Sequence, residues 1–143
     1  MTIKPKKSVL FVCNHNSTRS QMAEGLLRNM YGKFYESFSA GINITEVNPL
    51  AIEIMNEINI DISYHHSKSL EEFQNKEIDI VVTVCQGARE TCPIFLGGKK
   101  YIHKKFKDPS NFQGTEDERI EEFKKIRDEI KEWIIEKFRP DHQ

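Results

Sequence analysis

The sequence predicts an α/β protein, a three-layer sandwich in which a four-stranded parallel sheet carries helices on both faces. Two observations carry this expectation. Short apolar runs of strand length alternate with segments whose apolar residues recur at helical spacing, and IDIVVTVC (78–85), the most apolar run, reads as a central strand buried on both sides. The elements follow in order. SVLFVC (8–13) is a strand, and a helix runs from about Ser20 to Tyr31 with Met22, Leu26, Leu27 and Met30 on one stripe. FYESFSA (34–40) alternates like a strand and closes on Gly41. Asn48 then caps a helix with Pro49 at its first position and Leu50, Ile54 and Ile58 on one face. Ser69 and Glu72 form a capping box for a short helix. KKYIHKKF is a more polar strand, hence an edge. Thr115 and Glu118 open a long helix whose Ile120, Phe123, Ile126, Ile130, Ile134 and Phe138 line up as one stripe. Residues 1–143 are expected to form a single domain, with no repeat or linker.

Composition narrows the function. A chain that is 38% hydrophobic and 30% charged, with net charge −1, has the make-up of a soluble protein without the basic excess that nucleic acid requires. The apolar run at 8–13 is too short for a signal peptide, and no segment has the length of a membrane span, so a cytoplasmic location is expected. The sequence itself gives no oligomeric state, and a monomer is the expectation taken forward. Three cysteines do not read as a disulfide framework, and Cys85 and Cys92 are too far apart for a zinc knuckle. That leaves catalysis or redox chemistry, or three small buried hydrophobes. His65 and His66 are adjacent on an extended segment and point apart, so no metal site is expected there.

The chemistry concentrates in VCNHNSTRSQMAEG. A strand ending at Cys13, a loop through Asn14, His15, Asn16, Ser17 and Thr18, and a helix entered at Arg19 or Ser20 can aim backbone N–H groups at one centre. The helix N-terminus adds partial positive charge, and Arg19 adds a planar fork for two oxygens of a tetrahedral oxyanion. The same field favours thiolate over thiol at Cys13, and Ser17, Thr18 and Ser20 offer hydroxyls to that sulfur. The loop therefore reads as a cradle that binds an oxyanion and supplies the nucleophile that attacks it. Cys85 also ends an apolar strand, so the two cysteines are candidates for one rim of the sheet.

This stretch resembles the phosphate-binding loop of low-molecular-weight protein tyrosine phosphatases, with their flavodoxin-like sandwich, and more closely that of the thioredoxin-coupled arsenate reductases of the same fold. The likeness continues in FSAGI, NPLAIEIMNEINIDIS, IDIVVTVCQGARETCP, the Asp108-Pro109 pair and FKKIRDEI. Three features lean toward the reductases: the pair Cys85 and Cys92, the sequence SNF after Asp108-Pro109 where phosphatases usually carry adjacent tyrosines, and Gln21 where they usually carry proline. The resemblance implies that arsenate, with phosphate or sulfate as competitors, sits in the loop and is attacked by Cys13 while Asp108 protonates the leaving oxygen. Cys85 then resolves the intermediate and releases arsenite, Cys92 frees Cys13, and thioredoxin reduces the resulting pair with no tightly bound cofactor. A phosphatase working through a Cys13 phosphocysteine is the alternative, and a noncatalytic oxyanion-binding module a third.

Departures from the family pattern bear on this. His15 stands where a glycine is usual and Thr18 where a cysteine often precedes the arginine. The reductases often bind potassium through positions matching Asn16, Glu24 and Ser39 plus an aspartate whose counterpart is Lys68, so the lysine ammonium is expected to fill that cation position or to point to solvent.

Overall fold

The computed structural model describes residues 5–86 and 94–140. Its four strands, β1 (Lys7–Val12), β2 (Tyr35–Ala40), β3 (Ile78–Thr83) and β4 (Gly98–His103), form one sheet in the order β2-β1-β3-β4. Every pairing is parallel, with Val12 opposite Ala40 on one side and Thr83 on the other. The expected central and edge strands are therefore β3 and β4. β1 ends one residue and β3 two residues before its apolar run does, although the Cys13 N–H still donates to Ala40 O and the Val84 N–H to Val12 O.

Helices α1 (Arg19–Tyr31), α2 (Pro49–Asn56) and α3 (Glu116–Phe138) supply one layer. Their apolar faces meet Val9, Phe11, Val82 and Val84 in the main core. The α3 stripe behaves as its spacing requires: Phe123, Ile126, Ile130, Ile134 and Phe138 are buried and Ile120 packs at the margin. Each fully buried side chain of this size stabilises the fold by about 2 kcal/mol through lost apolar surface. Thr115 and Glu118 form the reciprocal capping box, and Asn48 accepts from the Leu50 N–H with Pro49 at the first helical position. On the other face Leu10, Val12 and Val81 pack with Phe73 and Phe95, so among the described residues that layer is thin. Ser69 caps the short element but accepts from the Glu71 N–H, and the tighter turn that results is a 3-10 helix, Leu70–Phe73, in place of the expected capping box. A second 3-10 turn, Pro109–Asn111, was not read from the sequence.

The loop after β1 is wedged between neighbouring segments. Gly41, just past β2, lies so close that an added Cβ would meet Asn14 O at 2.5 Å, Cys13 O at 2.7 Å and Asn16 N at 2.9 Å. These are backbone atoms, which cannot swing aside as a side-chain tip can. Gly41 also bridges to residues 68–70, its N–H donating to Lys68 O (2.8 Å) and its carbonyl accepting from Leu70 N (2.9 Å). Gly41→Ala is therefore expected to destabilise the protein by about 1–3 kcal/mol, the usual cost of overpacking. Urea unfolding measures it, and an unchanged midpoint would show that the loop has slack.

Candidate active site

Six residues join β1 to α1, and the short connection forces an unusual backbone. Asn16 adopts φ 52°, left-handed without being glycine. A side chain in that region costs on the order of 1 kcal/mol or more, so contacts must hold it. They do. The Asn16 carbonyl accepts from Ser67 Oγ (2.8 Å) and Gln21 Nε2 (3.0 Å), while Oδ1 accepts from Gln21 Nε2 (2.9 Å) and the Lys68 N–H (2.8 Å). A backbone N–H on Oδ1 fixes the amide orientation, which turns Nδ2 toward Ser20 Oγ at 2.8 Å. Ser20 Oγ thus accepts from Asn16, lies 2.9 Å from Cys13 Sγ, and can give its own proton to a sulfur there. Cys13 is a free thiol, 2% exposed.

Thr18, at the N-cap of α1, gives the helix no side-chain cap, so the opening turn keeps its field for the space before it. That space is a cavity of about 310 Å³ lined by the cradle and by Asp108. It brings together the expected Cys13, Asn14, His15, Ser17, Thr18, Arg19 and Asp108. Asn16 and Ser20 are buried behind it. Thr45, Ser110 and Asn111 also line it and were missed, the first in a loop and the other two in the 3-10 turn, with no periodic signal.

Arg19 is 3% exposed and anchored across the sheet, its Nη1 donating to Phe106 O at 3.1 Å and to Val84 O at 3.5 Å. Its Nη2 lies 3.5 Å from Asp108 Oδ2. Asp108 divides its oxygens: Oδ1 caps the 3-10 turn by accepting from Ser110 N (3.0 Å) and Ser110 Oγ (2.7 Å), which leaves Oδ2 toward Arg19. Cys85 is fully buried at the end of β3. Because Val84 N bonds Val12 O at 3.0 Å, it follows the strand beside that of Cys13 and shares its rim. Cys92 and Gly87 lie outside the described residues.

Beneath the cradle is a buried charge cluster. Lys68 Nζ stands 3.5 Å from Glu24 Oε1, 3.5 Å from Ser39 Oγ and 3.0 Å from His66 O. Ser39 Oγ donates to Glu24 Oε1 at 2.5 Å, and Arg28 Nη1 bonds Glu24 Oε2 at 3.1 Å. Lys68 therefore points inward, and its ammonium sits among the residues expected to hold a cation. Removing it leaves Glu24 short of a counter-charge, a loss of about 2 kcal/mol for a site this dry. Lys68→Ala is expected to melt earlier than the parent and to regain stability in potassium chloride but not in choline chloride, while the parent responds alike to both salts. Thermal melts in the two salts decide it.

His65, beside this cluster, is held by Gln21 Oε1 (2.8 Å from Nδ1) and Arg28 Nη2 (2.5 Å from Nε2). Burial pushes its pKa down from 6.5 to about 4; the Arg28 and Lys68 charges add to this, and Glu24 opposes it. The folded protein thus holds the neutral ring while the unfolded chain binds a proton below about 6.5. Stability is full above that value and is lost as the pH falls toward 4, by on the order of 2 kcal/mol. Urea unfolding between pH 7 and 4 should show this slope, absent in His65→Gln.

Comparison with known proteins agrees with this geometry. Arsenate reductase 1 of Staphylococcus saprophyticus is 43% identical over 134 residues, 94% of this chain and 97% of the relative, and the arsenate reductase of Staphylococcus aureus matches to the same extent. Among solved structures, an arsenate reductase in the phosphate binding state superposes with a TM-score of 0.77 at 31% identity, covering 91% of this chain and 95% of that one. A low molecular weight protein tyrosine phosphatase from T. tengcongensis gives 0.69 at 28% identity, over 90% and 95% of the two chains. A thioredoxin-dependent arsenate reductase of Corynebacterium glutamicum gives 0.63 at 32% identity, over 93% of this chain and 64% of that one. The family model described as low molecular weight phosphotyrosine protein phosphatase matches residues 8–139, and with the cradle and sheet described above the chain belongs to that family.

Proposed function

We propose that the protein reduces arsenate to arsenite by a relay of three thiols. The observation that carries this is the placement of Cys13 and Cys85 at the ends of adjacent parallel strands, with Arg19 anchored on Val84 O between them. A phosphatase needs the cradle and Asp108 alone; a second cysteine at the rim is what a reductase adds.

Arsenate lies in the cavity with its oxygens on loop N–H groups and the Arg19 fork. The Cys13 thiolate forms an S–As bond, and one oxygen leaves as water with a proton from Asp108 Oδ2. Cys85 then attacks the Cys13 sulfur. The S–As electron pair passes to arsenic, so As(V) becomes As(III), arsenite departs, and a Cys13–Cys85 disulfide remains. The two electrons come from the two thiols. Cys92 attacks Cys85, frees Cys13 and leaves a Cys85–Cys92 pair for a thioredoxin dithiol to reduce. Phosphate and sulfate compete for the cradle, and the protein works in the cytoplasm as a monomer with no bound cofactor. The relatives named arsenate reductase and the polar cavity lining support this reading.

Arsenite production with thioredoxin, thioredoxin reductase and NADPH, compared with glutathione and glutaredoxin, tests it. Turnover is expected with the first set. Cys85→Ser is expected to abolish arsenite release, whereas Cys92→Ser releases about one equivalent and stalls with Cys13 locked to Cys85, a bond that mass spectrometry maps. Hydrolysis of an aryl phosphate without any arsenite would replace this reading with that of a phosphatase.

A further inference from the structure

Gln21 follows Arg19 and Ser20 on α1 and is fully buried. Its side chain reaches back under the cradle. Nε2 lies within hydrogen-bond range of Asn16 O, Asn16 Oδ1 and His66 O at 3.0, 2.9 and 3.0 Å, and Oε1 faces His65 Nδ1. An amide can be placed either way round, but the carbonyls of Asn16 and His66 only accept and so call for the NH₂ on their side. Arg28 holds the same direction from the other end. A guanidinium only donates and keeps its proton, so the His65 Nε2 that meets Arg28 Nη2 must accept. The ring proton then belongs on Nδ1, which donates to Gln21 Oε1. The amide NH₂ is left facing Asn16 and His66; the reverse placement would set Oε1 against three oxygens.

The orientation matters because Asn16 is left-handed and its Nδ2 sets the Ser20 hydroxyl that meets Cys13. Gln21 touches both oxygens of Asn16, so it restrains the backbone and the side chain of the left-handed residue in the loop. We propose that Gln21 is a positioning residue for the Cys13 nucleophile, acting through Asn16 and Ser20, and that Arg28 braces the direction of its amide through His65. The proposal rests on the role given to Cys13 above. It assigns to a polar helix residue, seven residues upstream of Arg28, a task separate from holding the anion.

The test needs readouts that mere loss of packing would not move. In the parent protein at pH 7, the ¹⁵N spectrum of the His65 ring is expected to show the Nδ1–H tautomer; the Nε2–H form would overturn the assigned direction. Gln21→Met keeps volume and removes every hydrogen bond. It is expected to slow alkylation of Cys13 by iodoacetamide about tenfold and to weaken inorganic phosphate binding roughly 10- to 100-fold, because misplacing a reacting group by a fraction of an ångström has effects of this order. Parent-like alkylation and phosphate affinity in Gln21→Met would overturn the proposal. Should that variant fail to fold, Arg28→Met decides it from a partly exposed position. His65 is then expected to populate both tautomers and Cys13 to react several-fold more slowly, and no change in either would overturn it. These readouts need no arsenate. A parent protein that binds phosphate and alkylates rapidly but forms no arsenite would remove the functional reading and leave the Gln21 question to the same measurements.

Discussion

The structure depends on one tight constraint: the chain must turn from the end of a buried strand into a helix within six residues while leaving a hollow for an anion. The left-handed Asn16 makes that turn, and the surrounding contacts are consequences of it. Its two oxygens need donors, and Gln21, Ser67 and Lys68 provide them. Its amide then has one orientation, which sends the Ser20 proton toward sulfur. The loop needs space on its far side, and Gly41 leaves it by lacking a Cβ. Backbone geometry thus sets which side chains stand against the sulfur.

The cluster under the loop shows what burial of charge accomplishes here. Glu24, Arg28, His65 and Lys68 are drawn from α1 and from the segment between α2 and β3, and each is oriented by another. Such groups seldom add net stability over apolar residues of equal size, because desolvation offsets the attraction. What they supply is direction. An apolar filling could support the loop from below, but it could not decide which end of an amide faces up.

Much of this was legible in the sequence where a period or a cap gave a signal. The strands around Cys13 and Cys85, the α3 stripe and the Asn48 and Thr115 caps were readable because each rests on neighbours within a few residues. The cradle was readable because strand, loop and helix are contiguous. Lys68 was foreseeable as a cation only by comparison with related chains. Gln21 and His65 were not foreseeable, since their contact joins polar residues 44 positions apart and neither interrupts a pattern. Ser69 shows a finer limit: a capping box and a 3-10 turn share the same serine, which here also takes part in the bridge to Gly41 after β2, a contact far away in sequence. Thr45 reaches the cavity from one loop and Ser110 and Asn111 from the distant 3-10 turn, which no local rule brings together.

The anchoring of Arg19 has a consequence for the order in which the molecule matures. Its carbonyl partners, Val84 and Phe106, lie 65 and 87 positions downstream, and Asp108 lies farther still. Parallel pairing of β1 with β3 likewise waits for distant chain, so the contacts that complete the site are among the least local in the fold. During synthesis, therefore, Cys13 is made early but meets its guanidinium in working position only after about three-quarters of the chain has emerged. The reactive thiol is made first and armed last.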